Sequence, residues 1–218
     1  CILPAELMTE TARMNMILVL FAHPALEKSR VNRRLMAAVR DLPGVTFHDL
    51  YEAYPEFDID VRREQDLLVE HDVIVLQHPF FWYSTPALLK EWQDLVLEHG
   101  WAYGSEGRAL VGKCALSVIT TGGGESAYQE GGLNRFTMRQ FLAPIEQTFR
   151  LCGVEYLPPF VVHGTLGMAG EKIRSHAEDY RRIVEALRDE TLHIEAARAM
   201  LRINSQVDEL LREAPERA

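Results

Sequence analysis

A chain of 218 residues, 47% of them hydrophobic, is long enough for one well-buried core and short for two, so a single domain with extensions is expected. Its formal net charge of −9, from 32 Asp and Glu against 23 Lys and Arg, repels phosphate backbones and anionic lipid and argues against nucleic acid as a partner. Three scattered cysteines, Cys1, Cys114 and Cys152, supply neither a disulfide framework nor a zinc site, and no apolar run approaches the roughly 18 residues that span a bilayer; a soluble, cytoplasmic chain is the expectation.

Residues 1–15 lack the basic start and long apolar middle of a secretory signal and are read as a leader, either disordered or foreign to the natural chain. Apolar runs of strand length follow at residues 16–22, 45–50, 73–76, 115–121 and 160–163. Between them lie helical stripes. Val31, Leu35, Met36 and Val39 make the first; Leu88, Leu89, Trp92, Leu95 and Val96 a later one. Met138, Phe141, Leu142, Ile145, Phe149 and Cys152 make a third, and Gly153 stops it. After residue 170 the pattern becomes charged helix, over 171–188 and then from 191 to about 213. In the last segment Ala196, Met200, Ile203, Val207 and Leu210 step by 4, 3, 4 and 3, too short a heptad run for a coiled coil. It fits a terminal helix packed on its own domain or a helix that meets a partner. The boundaries drawn are therefore a leader over 1–15, a core domain over 16–188 and a C-terminal helical extension over 189–218.

Near-continuous apolar strands alternating with helices predict an α/β three-layer sandwich: a five-stranded parallel sheet with helices on both faces. The order 2-1-3-4-5 puts the topological switch point between strands one and three. The loops after Ala22, Leu76 and Thr121 then face one crevice, where open α/β sheets bind ligands.

Those three loops have unusual sequences. The first, from Ala22 through His23 and Pro24 to Asn32, runs into a helix that must start near Arg30, with Ser29 as N-cap. A helix start offers unpaired N–H groups and a positive dipole end, so a phosphate fits against Ser29, Arg30, Val31 and Asn32, with His23 as a side-chain donor. No P-loop or G-x-G-x-x-G is present. On its own, this loop reads better as a strand-end histidine and an ordinary cap. The second loop, Gln77-His78-Pro79-Phe80-Phe81-Trp82-Tyr83-Ser84-Thr85-Pro86, presents aromatic rings to a flat ligand or simply covers the sheet end. The third, Thr120-Thr121-Gly122-Gly123-Gly124-Glu125-Ser126-Ala127-Tyr128, lets backbone approach a ligand closely and offers hydroxyls and a phenol. Trp101 and Tyr103, in a glycine-rich loop, are candidate stacking walls. His48, His71, His163, His176 and His193 are scattered without ligand spacing, and no metal site is expected.

The chain resembles the flavodoxin-like NAD(P)H quinone oxidoreductase family, and within it the ancillary subunits of glutathione-regulated potassium-efflux systems. The matching stretches include Phe21-Ala22-His23-Pro24, Asp49-Leu50-Tyr51, Tyr54-Pro55-Glu56-Phe57, Gln77-His78-Pro79 with Trp82-Tyr83-Ser84, Pro86 to Trp92, His99 to Gly104, Thr120 to Ser126 and Leu157-Pro158-Pro159-Phe160. The resemblance implies a bound flavin, FMN or alternatively FAD, with NAD(P)H as co-substrate and a quinone or other electrophile as acceptor. By position, it implies His23 and Ser29 to Asn32 at the phosphate, Phe80, Phe81, Trp82 and Tyr83 along the ribityl chain and ring, and Thr120, Thr121, Gly122 and Gly123 at the isoalloxazine. Tyr128 matches a tyrosine that stabilises the reduced flavin, whereas Leu133 and Asn134 stand where the family has a histidine. A homodimer is also implied. The alternative function is a regulatory subunit that docks on and activates a membrane K+/H+ antiporter, with or without turnover, from the inner face of the membrane. An electron-transfer flavodoxin fits less well, because residues 23–31 lack a Ser- and Thr-rich phosphate loop.

Overall fold

The computed structural model describes residues 14–211. Its centre is β1 (Ile17–Phe21) and β3 (Val73–Pro79), every residue of which is buried, flanked by β2 (Val45–Asp49) and β4 (Cys114–Thr120). The edge beyond β4 holds β5 (Glu155–Tyr156) and β6 (Phe160–Val162). All pairings are parallel and the path is β2-β1-β3-β4-β5, with β6 also on β4.

Strands buried on both faces need helices on both faces. One side carries α2 (Leu50–Ala53), α3 (Val61–Glu70), α4 (Ala87–Val96) and α5 (Met138–Leu151), which bury Leu18, Leu20, Leu76, Trp92 and Phe149 together. The other carries α1 (Arg30–Val39) and α6 (Gly170–Arg188) over Ile17, Val19, Leu35, Val75 and Tyr180. Asn15, the last leader residue, donates its N–H to Arg188 O and its Nδ2 to Leu187 O, both at 2.8 Å. Residues 1–13 of the leader lie outside the described residues.

Four expectations change. The third strand does not stop at Leu76: Gln77, His78 and Pro79 continue the ladder opposite Val118, Ile119 and Thr120, and Pro79 takes the last position, where a missing N–H costs least. The expected single strand over 160–163 is instead the second of two short segments, split where Pro158 and Pro159 cannot donate to a ladder. Helix α3 had no place in the periodicity reading, although Asp60 caps it by accepting from Arg63 N–H at 3.1 Å. The long terminal helix from 191 is broken into α7 (Ile194–Arg198), a single turn at Ile203–Ser205 and α8 (Val207–Leu210). Its apolar residues Leu192, Ala197, Ile203, Val207 and Leu210 join the core beside α6, so the extension packs on its own domain. Residues 212 and 213, the expected helix end, lie outside the described residues.

One buried carboxylate ties β2, α2, α3 and α4 together. Glu64 is fully buried; its Oε1 accepts from His48 Nε2 at 2.8 Å and from the Tyr54 hydroxyl at 2.5 Å, and its Oε2 accepts from Trp92 Nε1 at 2.8 Å. Burial alone would raise the pKa of Glu64, but the hydrogen bonds from His48, Tyr54 and Trp92 bring it below its ordinary 4.5. A folded-state value below the unfolded one contributes stability that is present above the unfolded value and is lost as pH falls through the folded one. Replacing a buried charged acceptor strands its donors, at a cost of about 3 kcal/mol. Glu64→Gln is therefore expected to lower the urea-unfolding free energy by about that much at pH 7, with the gap to the parent narrowing below pH 4.5. An unchanged midpoint at pH 7 would show the network to be dispensable.

Candidate functional site at the carboxyl edge of the sheet

Three backbone bonds carry the ladder past the strand ends. Ala22 N–H donates to Gln77 O at 3.0 Å, Phe80 N–H to Thr120 O at 2.9 Å and Thr121 N–H to Val162 O at 2.9 Å. The loops after β1, β3, β4 and β6 therefore leave the sheet side by side.

At the first loop, His23 Nδ1 accepts from Ala25 N–H at 3.1 Å, which leaves Nε2–H as the ring donor. Burial lowers the His23 pKa, so the ring is neutral at pH 7. Ser29 caps α1: its Oγ accepts from Asn32 N–H at 3.1 Å and from Asn32 Nδ2 at 3.3 Å. Asn32 Nδ2 also reaches Thr120 Oγ1 at 2.8 Å, joining the start of α1 to the end of β4. Asn32 Oδ1 is buried without a partner. The first N–H groups of α1 have no intrahelical acceptor, and neither Lys28 nor Arg30 makes an ion pair among the described residues. Here an acidic chain has a local positive site.

These groups line a cavity of about 430 Å³ that includes His23, Ser29, Arg30, Val31, Asn32, Phe80, Phe81, Thr120 and Gly122. Lys28 and the loop Thr165-Leu166-Gly167 complete it. That last loop has no counterpart among the expected site residues; its one signal in the sequence is a glycine-bounded segment, Gly164 to Gly167, directly after an edge strand. Both glycines have positive φ, 67° and 75°. A Cβ on Gly122 would meet Leu166 Cδ1 at 3.3 Å, so the glycine keeps the cavity floor low.

Other expected residues are placed differently. Trp82 and Tyr83 sit in a tight turn closed by Ser84 N–H to Phe81 O at 3.0 Å, and neither lines the cavity. Trp82 points to solvent at its tip, while Tyr83 stacks on Phe141 (5.2 Å, 20°) and donates to Asn134 Oδ1 at 3.2 Å. The Thr121 hydroxyl is turned inward, donating to Gly123 O at 2.8 Å with His163 Nδ1 at 3.2 Å. Gly123 lies beneath Tyr128: a Cβ there would meet the ring at 3.2 Å and the phenol oxygen at 3.3 Å. Tyr128 itself faces a second cavity, of about 670 Å³, between the glycine loop and the C-terminal extension.

His163, read from sequence as an isolated histidine, lies 5.4 Å from the Tyr128 ring. Burial first, and then the positive charge of Arg202, lower its pKa to about 4, so it is a neutral imidazole at pH 7. Trp101 and Tyr103 pack on the α4 side of the core, with Tyr103 edge-on to His99 at 5.3 Å; neither reaches the cavity.

The comparisons with known proteins agree with this geometry. A family model described as flavodoxin-like fold matches residues 15–184. The glutathione-regulated potassium-efflux system ancillary protein KefG of Enterobacter sp. (strain 638) is 46% identical over 173 residues, 79% of this chain and 93% of that protein. The uncharacterized NAD(P)H oxidoreductase YrkL of Bacillus subtilis (strain 168) is 45% identical over 173 residues, 79% of this chain and 98% of that one. Among solved structures, general stress protein 14 of Treponema denticola, in complex with FMN, is 37% identical with a TM-score of 0.75, covering 78% of this chain and 98% of that one. An NADPH-quinone reductase from P. pentosaceus is 33% identical with a TM-score of 0.71, covering 77% and 96%. With the model matched over most of its length and relatives this similar, the chain belongs to the flavodoxin-like fold family.

Proposed function

We propose that this protein is an FMN-dependent NAD(P)H oxidoreductase that passes electrons to a quinone or another electrophile. The observation that carries this reading is the convergence, at one sheet edge, of the open start of α1, the His23 donor and a side-chain-free glycine loop, all lining one cavity. The relatives' names and the FMN in the Treponema structure support it.

The residues present fit FMN. Arg30 and Val31 N–H, the Ser29 hydroxyl, His23 Nε2–H and the Lys28 and Arg30 side chains would receive the phosphate; buried Asn32 Oδ1 is an acceptor still to be satisfied. Phe80 and Phe81 would exclude water along the ribityl chain, and Gly122 would allow the ring onto the backbone. FMN supplies the redox chemistry, taking hydride from a nicotinamide and releasing electrons to an acceptor. The protein's part is to fix the ring, present one face and aim preorganised donors where negative charge develops. Tyr128, with neutral His163 at its side, is the phenol nearest the glycine loop for that purpose.

The likeness to KefG favours a second role beside the first: docking on a K+/H+ antiporter at the inner face of the membrane. A homodimer belongs to the same proposal, supported by the exposed apolar side chains of Trp82, Leu133 and Leu166. A pull-down with the antiporter's cytoplasmic domain, read together with the sedimentation coefficient of the loaded protein, tests both.

The enzyme reading is tested by the anaerobic spectrum of FMN-reconstituted protein during addition of NADPH or NADH, then menadione. Bleaching of the flavin band and its return on quinone addition are expected. Binding without bleaching would leave a flavin-loaded regulatory subunit, and failure to bind FMN would remove the cavity's assignment.

Trp82 offers a separate test. Trp82 and Tyr83 have φ of 48° and 65°, a left-handed pair that non-glycine residues enter at a cost of about 1–2 kcal/mol each. Trp82 is 93% exposed and makes no ring contact among the described residues that would offset the strain. Strain that nothing in the fold offsets fits a role for the Trp82 ring outside the core, toward a ligand or partner at the sheet edge. Trp82→Gly is expected to raise thermal stability by about 1 kcal/mol while loosening FMN. A less stable variant with unchanged FMN affinity would reverse that reading.

A further inference from the structure

The family model ends at residue 184, yet the chain returns to the site beyond it. Arg202 is extended (φ −151°, ψ 142°), and the next two residues lie along the outer edge of β6. Ile203 N–H donates to Pro159 O at 3.0 Å. Asn204 Oδ1 accepts from Val161 N–H and its Nδ2 donates to Val161 O, each at 2.9 Å. The carboxamide stands in for the peptide of an absent next strand and closes an edge that would otherwise be open. Arg202 reaches toward the other side: its Nη1 lies 2.9 Å from Oε2 of Glu125, the residue that follows the three glycines.

Edge strand and glycine loop are also bound to each other. Gly164 N–H donates to Gly123 O at 2.8 Å, and Thr165 N–H to Thr121 O at 3.0 Å. Residues 202–204 thus grip both partners of this junction from outside. A triple-glycine loop has more conformational freedom to lose than any other sequence, and a ligand that must order it binds correspondingly weakly. A loop held in place beforehand removes that cost.

We propose that Arg202 and Asn204 are positioning residues: they hold Glu125 and β6 so that the segment from Thr121 to Gly124 is set before FMN binds. The proposal rests on the flavin reading of the cavity. The Arg202–Glu125 side chains are 26% and 65% exposed, so the pair is screened by salt and its effect is modest.

The test compares the parent with Arg202→Glu, Glu125→Arg and the double charge swap. Two quantities are read: the FMN Kd by fluorescence quenching at low and high salt, and amide hydrogen exchange over residues 121–128 in the FMN-free protein. Each single reversal is expected to weaken FMN binding about fivefold at low salt, less at high salt, and to speed exchange of the loop, and the swap is expected to restore both. Unchanged exchange and Kd in the single variants would overturn the proposal, as would a swap that restores neither. Asn204→Ala, which leaves the ion pair intact, is expected to speed exchange in the same segment; slow exchange there would limit the strap to nothing more than edge cover and count against it. If the parent itself does not bind FMN, the flavin reading fails, and the exchange data still decide whether the strap holds the loop.

Discussion

The hydrogen-bond ladder that joins β1, β3, β4 and β6 at their carboxyl ends sets the position of everything above it. Because Gln77, His78 and Pro79 stay in register with Val118, Ile119 and Thr120, the loops after β3 and β4 emerge at one level, and Ala22 N–H on Gln77 O brings the first loop to the same height. A slip of one residue would turn His23, Phe80 and Thr121 to opposite faces of the sheet. The apolar run of β3 prevents it: all seven residues are buried, and helices on both sides have fixed places for alternate side chains. The site is precise because the core beneath it is rigid.

Most of this architecture was legible in the sequence because apolar strand runs and helical stripes are strong signals when helices cover both faces. The strand order followed from strand count and alternation, and Ser29 was recognisable as a cap from its place before an apolar stripe. What was hidden had competing local chemistry. α3 carries Arg62, Arg63, Glu64, Gln65 and Asp66 in its first turns, so its buried face includes a carboxylate and an amide rather than only apolar residues. The extension kept heptad spacing over Ala196, Met200, Ile203, Val207 and Leu210, but Ile203 and Asn204 satisfy the open edge of β6, and that tertiary demand overrides the local period.

The site was legible to a different degree. Residues expected to act through backbone or a cap come together, since their position follows from where a strand ends and a helix begins: His23, Ser29 to Asn32, Thr120 and Gly122 share one cavity. Aromatic residues were placed less well because a ring's direction depends on turn geometry that composition does not encode. Two consecutive left-handed residues send Trp82 outward and lay Tyr83 on Phe141. His163 was invisible as a neighbour of Tyr128 because the pairing joins the end of one strand to a loop 35 residues earlier in the chain, through a sheet register that no spacing rule reports.

Charge at this edge follows from the same burial. Burial holds the imidazoles of His23, His78 and His163 below their ordinary pKa, the latter two to about 4, so none is cationic near neutral pH. The positive field that an acidic chain of net charge −9 would need to hold an anion here therefore comes from the N–H groups and dipole end of α1, with the Lys28 and Arg30 side chains at the mouth. Neutral histidines are more useful in this setting than charged ones. His23 keeps a fixed donor on Nε2 because Nδ1 is committed to Ala25 N–H, and an imidazolium at His163 would have to be desolvated beside Tyr128 and close to the positive charge of Arg202. On the proposed reading, the anion at the start of α1 and the phenol of the glycine loop would thus rely on separate groups, and the ladder beneath sets where the two loops stand relative to each other.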